Sequence, residues 1–214
     1  MKQGRPLTIH QLNLKSGNQE LCRNFSLEVG PHQLISLMGE NGVGKTSLLE
    51  AICGVRKIEG GEVLFWDRPL ADYDSFEIFS KVGWVTSAPE SYPLGLKVSE
   101  LFQFLSQIHR NWNSKLAHGL CESFRLVPEK KLAHLSLGEH SKVRLIKAMA
   151  FEPELLLLDE LTANLSPDSK DAVLSALLDL FNRTEMSVLY VCHSKEEAIR
   201  LSDRVIEFPS KRLK

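Results

Sequence analysis

The stretch LISLMGENGVGKTSLLEAI, residues 34–52, moves from an apolar run through three glycines, a lysine and two hydroxyl residues into a second apolar pattern. Leu34–Met38 are short, apolar and bounded by glycine, which predicts a strand buried on both faces. Leu48, Leu49 and Ile52 then recur at helical spacing, with Gly54 as a stop signal just beyond. Between the two lie Gly39, Glu40, Asn41, Gly42, Val43, Gly44, Lys45 and Thr46, which fit G-x-x-x-x-G-K-[ST]. Glycines let the backbone curl so that successive N–H groups point inward as an anion nest. A helix beginning near Lys45 adds the positive end of its dipole. Lys45 can reach β- and γ-phosphates, Thr46 offers a hydroxyl to Mg²⁺, and Ser47 is a further donor. Such a nest serves kinases, GTPases, ATPases and motors alike, so it does not choose a reaction.

The composition sets the bounds. The chain has 214 residues, 43% of them hydrophobic, enough for one large domain or one domain with an inserted lobe. Lys and Arg number 26 against 27 Asp and Glu, and no long basic stretch occurs, so no nucleic-acid partner is expected. The tail PSKRLK is basic but short and is expected to be solvated. Cys22, Cys53, Cys121 and Cys192 are scattered with no C-x-x-C pair, as expected for core thiols of a reducing, cytoplasmic compartment. The N-terminus has no apolar run of signal-peptide length. The central LLLL, residues 155–158, is far too short to cross a bilayer.

The second half of the chain supplies carboxylates. Leu155–Leu158 predict another doubly buried strand, and Asp159 falls at its carboxyl end, where ligands bind in an open α/β sheet. A carboxylate there can hold Mg²⁺ beside the phosphates. Glu160 follows, placed to polarise an attacking water. Ser187–Cys192 predict a further strand ending in His193, on the same sheet edge, where an imidazole can donate to a γ-phosphate. Ser194 and the KEEA after it also make an ordinary helix start. In LSLGE, Ser136, Gly138 and Glu139 open a helix whose apolar residues are Val143, Leu145, Ile146 and Met149. Its N-terminus is a phosphate-seeking surface, and equally an ordinary capping box of Ser136 with Glu139.

In this order the residues resemble the ATP-binding-cassette (ABC) ATPases over essentially the whole chain. GENGVGKT stands as Walker A, LLLLDE as Walker B, LSLGE at the signature, TANLS at the D-loop and His193 at the switch histidine. No N-K-x-D motif of GTPases appears. The resemblance implies an α/β P-loop NTPase (RecA-like) fold: a parallel-sheet core, an N-terminal antiparallel β-layer and an inserted helical subdomain. One ABC domain over 1–214 is expected, with its core at 1–86 and 150–214 and its helical part at about 87–149. It implies ATP and Mg²⁺ as ligands: the nest residues Gly39–Ser47 bind ATP, Thr46 and Asp159 meet the metal, and Glu160 and His193 act catalytically. Ser136, Gly138 and Glu139 would contact ATP held by a second cassette, in a homodimer or heterodimer. A membrane-spanning transporter subunit is the implied partner, with the chain peripheral on the inner face of the membrane. The segment before the signature looks most like ATPase subunits of small exporters.

Several positions depart from the family pattern. Ser87 stands where a Gln normally meets the metal and water, Leu137 replaces the first glycine of the signature, Glu139 replaces Gln and Ser166 replaces Asp in the D-loop. Glu139 adds negative charge near phosphate, unfavourable unless a cation or the helix dipole offsets it. Ser16 stands where an aromatic commonly stacks on adenine, a loss of about 1 kcal/mol. Two expectations follow: an ATPase that powers a transporter, or an alternative in which the chain is a nucleotide-binding scaffold with little turnover. Glu160 and His193 favour the ATPase, because a scaffold has little use for either.

Overall fold

The structure is a computed structural model that describes residues 4–86, 92–93, 95–109, 111–163 and 165–209. Ser87 and the tail after Pro209 therefore lie outside the described residues. In chain order the elements are β1 (Leu7–Ser16), β2 (Gln19–Val29), β3 (Leu34–Met38), α1 (Lys45–Ile52), β4 (Gly60–Phe65), β5 (Arg68–Pro69), α2 (Ser75–Lys81) and β6 (Val82–Val85). After these come α3 (Val98–Ile108), α4 (Ser114–Ser123), α5 (Leu137–Met149), β7 (Leu155–Asp159), α6 (Pro167–Phe181), β8 (Ser187–Cys192), α7 (Lys195–Leu201) and β9 (Arg204–Glu207).

Two sheets form. The N-terminal one is antiparallel in the order β2-β1-β4-β5, and the second runs β6-β7-β8-β3-β9, with every neighbouring pair parallel. The predicted α/β P-loop architecture with its antiparallel layer is thus present.

Strand periodicity explains how the parallel sheet carries cores on both faces. Leu155, Leu157, Leu189 and Val191 point to one side with Ile35 and Leu37, where they meet α1 and the antiparallel layer. Leu156, Leu158, Val188 and Tyr190 point to the other side, against Val143, Ile146, Val173 and Leu177 of α5 and α6. Burying a leucine or isoleucine contributes about 1.5–3 kcal/mol, so the four leucines of β7 anchor both cores at once. Helices α3 and α4 lie between β6 and β7 in the chain, and their Leu101, Phe102 and Leu120 extend the second core. Among the described residues no helix is long and apolar enough to cross a membrane.

Candidate functional site

The parallel alignment brings the carboxyl ends of β3, β7 and β8 to one edge of the sheet. The glycine loop leaves β3 there. Gly44 caps α1 at φ 117°, and Gly42 has φ 73°. The φ of Gly44 requires glycine, and an added Cβ there would also press on Leu21 at 3.1 Å. The side chain of Val43 is buried in the core, which leaves its backbone alone to face a ligand.

Lys45 is 4% exposed. Its Nζ donates to the carbonyls of Gly39 at 2.8 Å and Glu40 at 2.9 Å, and stands 3.5 Å from Glu160 Oε1. The ammonium is folded onto its own loop, held by three oxygens in the manner it would hold phosphate oxygens. Thr46 Oγ1 donates to Asp159 Oδ2 at 2.9 Å, joining the first turn of α1 to the end of β7. Asp159 is 1% exposed. A hydroxyl and a carboxylate are hard oxygen donors that suit Mg²⁺, which takes few protein ligands and completes its shell with substrate phosphates and water. The described residues contain no group of three or more His, Cys, Asp or Glu able to cage a metal.

Glu160 has φ 46°, an uncommon conformation for a non-glycine residue. Its N–H donates to Val191 O at 3.0 Å, and its own carbonyl accepts from Ala163 N–H. A cavity of about 230 Å³ is lined by Ser16, Gln19, Leu21, Gly42, Gly44, Lys45, Thr46, Ser47 and Glu160. The structure thus assembles most of the predicted loop residues with Glu160 and Ser16 around one cradle. Gln19 and Leu21 join them, and no pattern in the sequence marks either. His193 follows β8 and lines a neighbouring cavity of about 650 Å³ with Gly39, Glu40 and Glu207, so it flanks the loop from the other side.

Ser136, Gly138 and Glu139 do not line this cradle. Ser136 caps α5 by accepting from Glu139 N–H, while Glu139 Oε2 accepts from Ser136 N–H, so the capping box is real. Both carboxylate oxygens of Glu139 also accept from Lys130 Nζ, at 2.9 and 2.7 Å. That lysine is a cation able to offset the charge Glu139 brings to the helix start. Burial pushes the Glu139 carboxyl up, but Lys130 and Ser136 outweigh it and leave the group below the ordinary carboxylate range. Leu137 points outward, 62% exposed. A Cβ on Gly138 would lie 3.1 Å from the Ser169 side chain of α6, so α5 packs closely on α6 at that glycine. Ser166 caps α6, accepting from Ser169 N–H.

Residues 22–163 match the sequence profile of the ABC transporter family. The chain is 27% identical over 210 residues to the energy-coupling factor transporter ATP-binding protein EcfA1 of Ligilactobacillus salivarius, covering 95% of this chain and 74% of that protein. It is 30% identical over 210 residues to the hemin import ATP-binding protein HmuV of Shewanella denitrificans, covering 94% and 82%. Some relatives are longer, and the chain spans 58% of the sulfate/thiosulfate import ATP-binding protein CysA of Neisseria meningitidis. In fold it is similar to cbiO1 of Clostridium perfringens, part of the ABC transporter complex cbiONQ, with a TM-score of 0.82 at 20% identity, covering 95% of this chain and 84% of that one. The chain belongs to the ABC transporter family, as an ATP-binding subunit that hydrolyses ATP to power transport.

Proposed function

We propose that the chain works as one of two cassettes that close on ATP, each nucleotide held by the loop of one subunit and the signature of the other. The convergence of Lys45, Thr46, Asp159 and Glu160 on one sheet edge carries this reading. The Gly39–Thr46 backbone and Ser47 cradle the phosphates, and Lys45 exchanges its two carbonyl partners for the β- and γ-phosphates. Thr46 and Asp159 hold Mg²⁺, which supplies neutralisation of phosphate charge. Glu160 takes the proton of the attacking water, and His193 donates to the γ-phosphate. Ser136, exposed at the start of α5, supplies a hydroxyl to the nucleotide of the other cassette, with the N–H of Gly138 beside it. Glu139 serves by keeping this helix start ordered through Lys130 rather than by touching ATP. The second cassette is another copy or a related chain. The scaffold alternative is not favoured, because it leaves Glu160 and His193 without a purpose.

The core, 1–86 and 150–214, holds the nucleotide, and 87–149 forms the helical part. A membrane-spanning transporter subunit docks where the two meet and keeps the chain on the inner face of the membrane. An apolar groove of about 610 Å³ supports this docking. Phe76, Phe79, Leu105 and Phe151 line it, and Phe76 is 73% exposed. Two of the relatives named above are import proteins by name, which supports import; the exporter expectation gains nothing from them.

Glu160→Gln tests the sandwich. It keeps shape and hydrogen bonding but removes the charge, and should slow turnover by about 10²-fold or more. The variant should form an ATP-dependent dimer visible by light scattering, and Ser136→Arg in the same background should abolish that dimer while ATP still binds. A Glu160→Gln protein that stays monomeric at saturating ATP, even with its membrane partner, refutes the sandwich.

A further inference from the structure

A buried polar cluster lies behind the hydrolytic edge and touches neither the cradle nor the signature. Glu197, on α7, is 5% exposed. Its Oε2 accepts from the hydroxyl of Tyr190 at 2.6 Å and from that of Thr162 at 2.8 Å. Its Oε1 pairs with Lys170 Nζ of α6 at 2.5 Å. The backbone N–H of Glu197 donates to Ser194 Oγ, the cap of α7, one residue after His193. One residue therefore ties together the loop that follows Glu160, the strand before His193, the cap after it and the first turn of α6: its carboxylate reaches Thr162, Tyr190 and Lys170, and its backbone N–H reaches Ser194.

We propose that Glu197 is a positioning residue for hydrolysis: through Thr162 and Tyr190 it locks the Glu160 loop to the segment carrying His193, so that both groups meet the γ-phosphate in one fixed geometry.

Two observations give this weight. Glu160 sits at φ 46°, and a non-glycine residue keeps such a conformation only where its surroundings over-determine it. Beside the Glu160 N–H bond to Val191 O and the Lys45–Glu160 pair, the described part of that loop is held by Thr162, two residues on, whose hydroxyl is bonded to Glu197 and Tyr190. Secondly, stability is a poor reason to bury this group. Well-packed apolar residues often replace a buried ion pair without loss, whereas removing one partner alone is costly. Burial pushes the Glu197 carboxyl up, yet Lys170, Tyr190 and Thr162 together hold it below the ordinary carboxylate range, so the cluster keeps a charged clamp.

The inference rests on the assignment of Glu160 as the water-activating base. The test uses the full chain, with MgATP affinity, steady-state turnover and melting temperature measured for each variant. Thr162→Val keeps shape but removes the hydroxyl, and Glu197→Gln removes the charge. Each should lower kcat about tenfold, equivalent to about 1.4 kcal/mol of barrier, with ATP affinity within about twofold of wild type. Thr162→Ser restores the donor and should recover most of the rate. If Thr162→Val hydrolyses ATP at the wild-type rate, the proposal fails. It fails equally if affinity, melting temperature and rate fall together, since that is a purely structural role. Should Glu197→Gln not fold, Thr162→Val against Thr162→Ser decides alone. Glu160→Gln in the same assay separates the two levels: full turnover there sinks the base assignment, whereas a dead Glu160→Gln beside a fully active Thr162→Val sinks only the positioning role.

Discussion

Replacing Lys45 by methionine keeps the buried volume of the side chain and removes its charge. In the structure the ammonium donates to two carbonyls at 2.8 and 2.9 Å and faces Glu160 at 3.5 Å. Removing it leaves the carbonyls of Gly39 and Glu40 without that donor. Glu40 is exposed, so water can take part of its place, and the stability cost falls at the low end of the range for a lost donor, about 1–2 kcal/mol. ATP binding should lose more. Charged hydrogen bonds to the β- and γ-phosphates contribute about 1.5–3 kcal/mol each. Against this stands the loss of the two carbonyl bonds when phosphate displaces them, about 1 kcal/mol each. The net loss is about 1–4 kcal/mol, or about 5- to 1,000-fold in affinity. Isothermal titration of Lys45→Met with MgATP, paired with a urea melt, measures both quantities. A variant that melts like wild type and binds MgATP within twofold of it would show that Lys45 is a packing residue of the loop and that the phosphate assignment is wrong.

Gly44→Ala forces a side chain into φ 117° and against Leu21; it should destabilise the fold by about 2–3 kcal/mol, read as a lower urea midpoint, and it is refuted by an unchanged one. The Glu139 carboxyl has a folded pKa below its unfolded value of about 4.3, so its contribution is fully present above that pH and is lost as pH falls through the lower folded value. Lys130→Ala should therefore flatten the fall in stability across the acidic side of about pH 4. At neutral pH it should cost no more than about 1 kcal/mol, since both partners are partly exposed; urea melts at the two pH values check the sign.

The glycine loop was legible because its spacing has a backbone cause, and β3, β7 and β8 because runs such as Leu155–Leu158 suit only a doubly buried strand. Asp159 and Glu160 could be placed at a strand end for the same reason, and the Ser136–Glu139 capping box from its spacing alone. The order β6-β7-β8-β3-β9 was not legible, since it depends on pairings between distant segments that leave no local signal. The partners of charged groups were hidden likewise: Lys130 lies nine residues from Glu139, and Thr162 is 35 residues from Glu197. Glu197 sat in a segment whose capping pattern already accounted for its acidity, so nothing in the sequence suggested a buried role. The outward turn of Leu137 and the fit of Gly138 against Ser169 are packing outcomes that only the fold reveals.

The position of β3 inside its sheet has a consequence for how the protein is made. Its two neighbours are β8 and β9, which a ribosome synthesises long after the glycine loop. At about 5–20 residues per second, about 7–30 s separate emergence of the glycine loop from emergence of the strands that flank it. Throughout that interval the nascent chain carries the ATP-binding motif as unpaired, apolar, strand-forming segment, without Asp159 or Glu160 in place for most of it. The loop therefore lacks its flanking strands until β8 has emerged, and a premature stop ahead of β8 would cost the whole cradle rather than its edge.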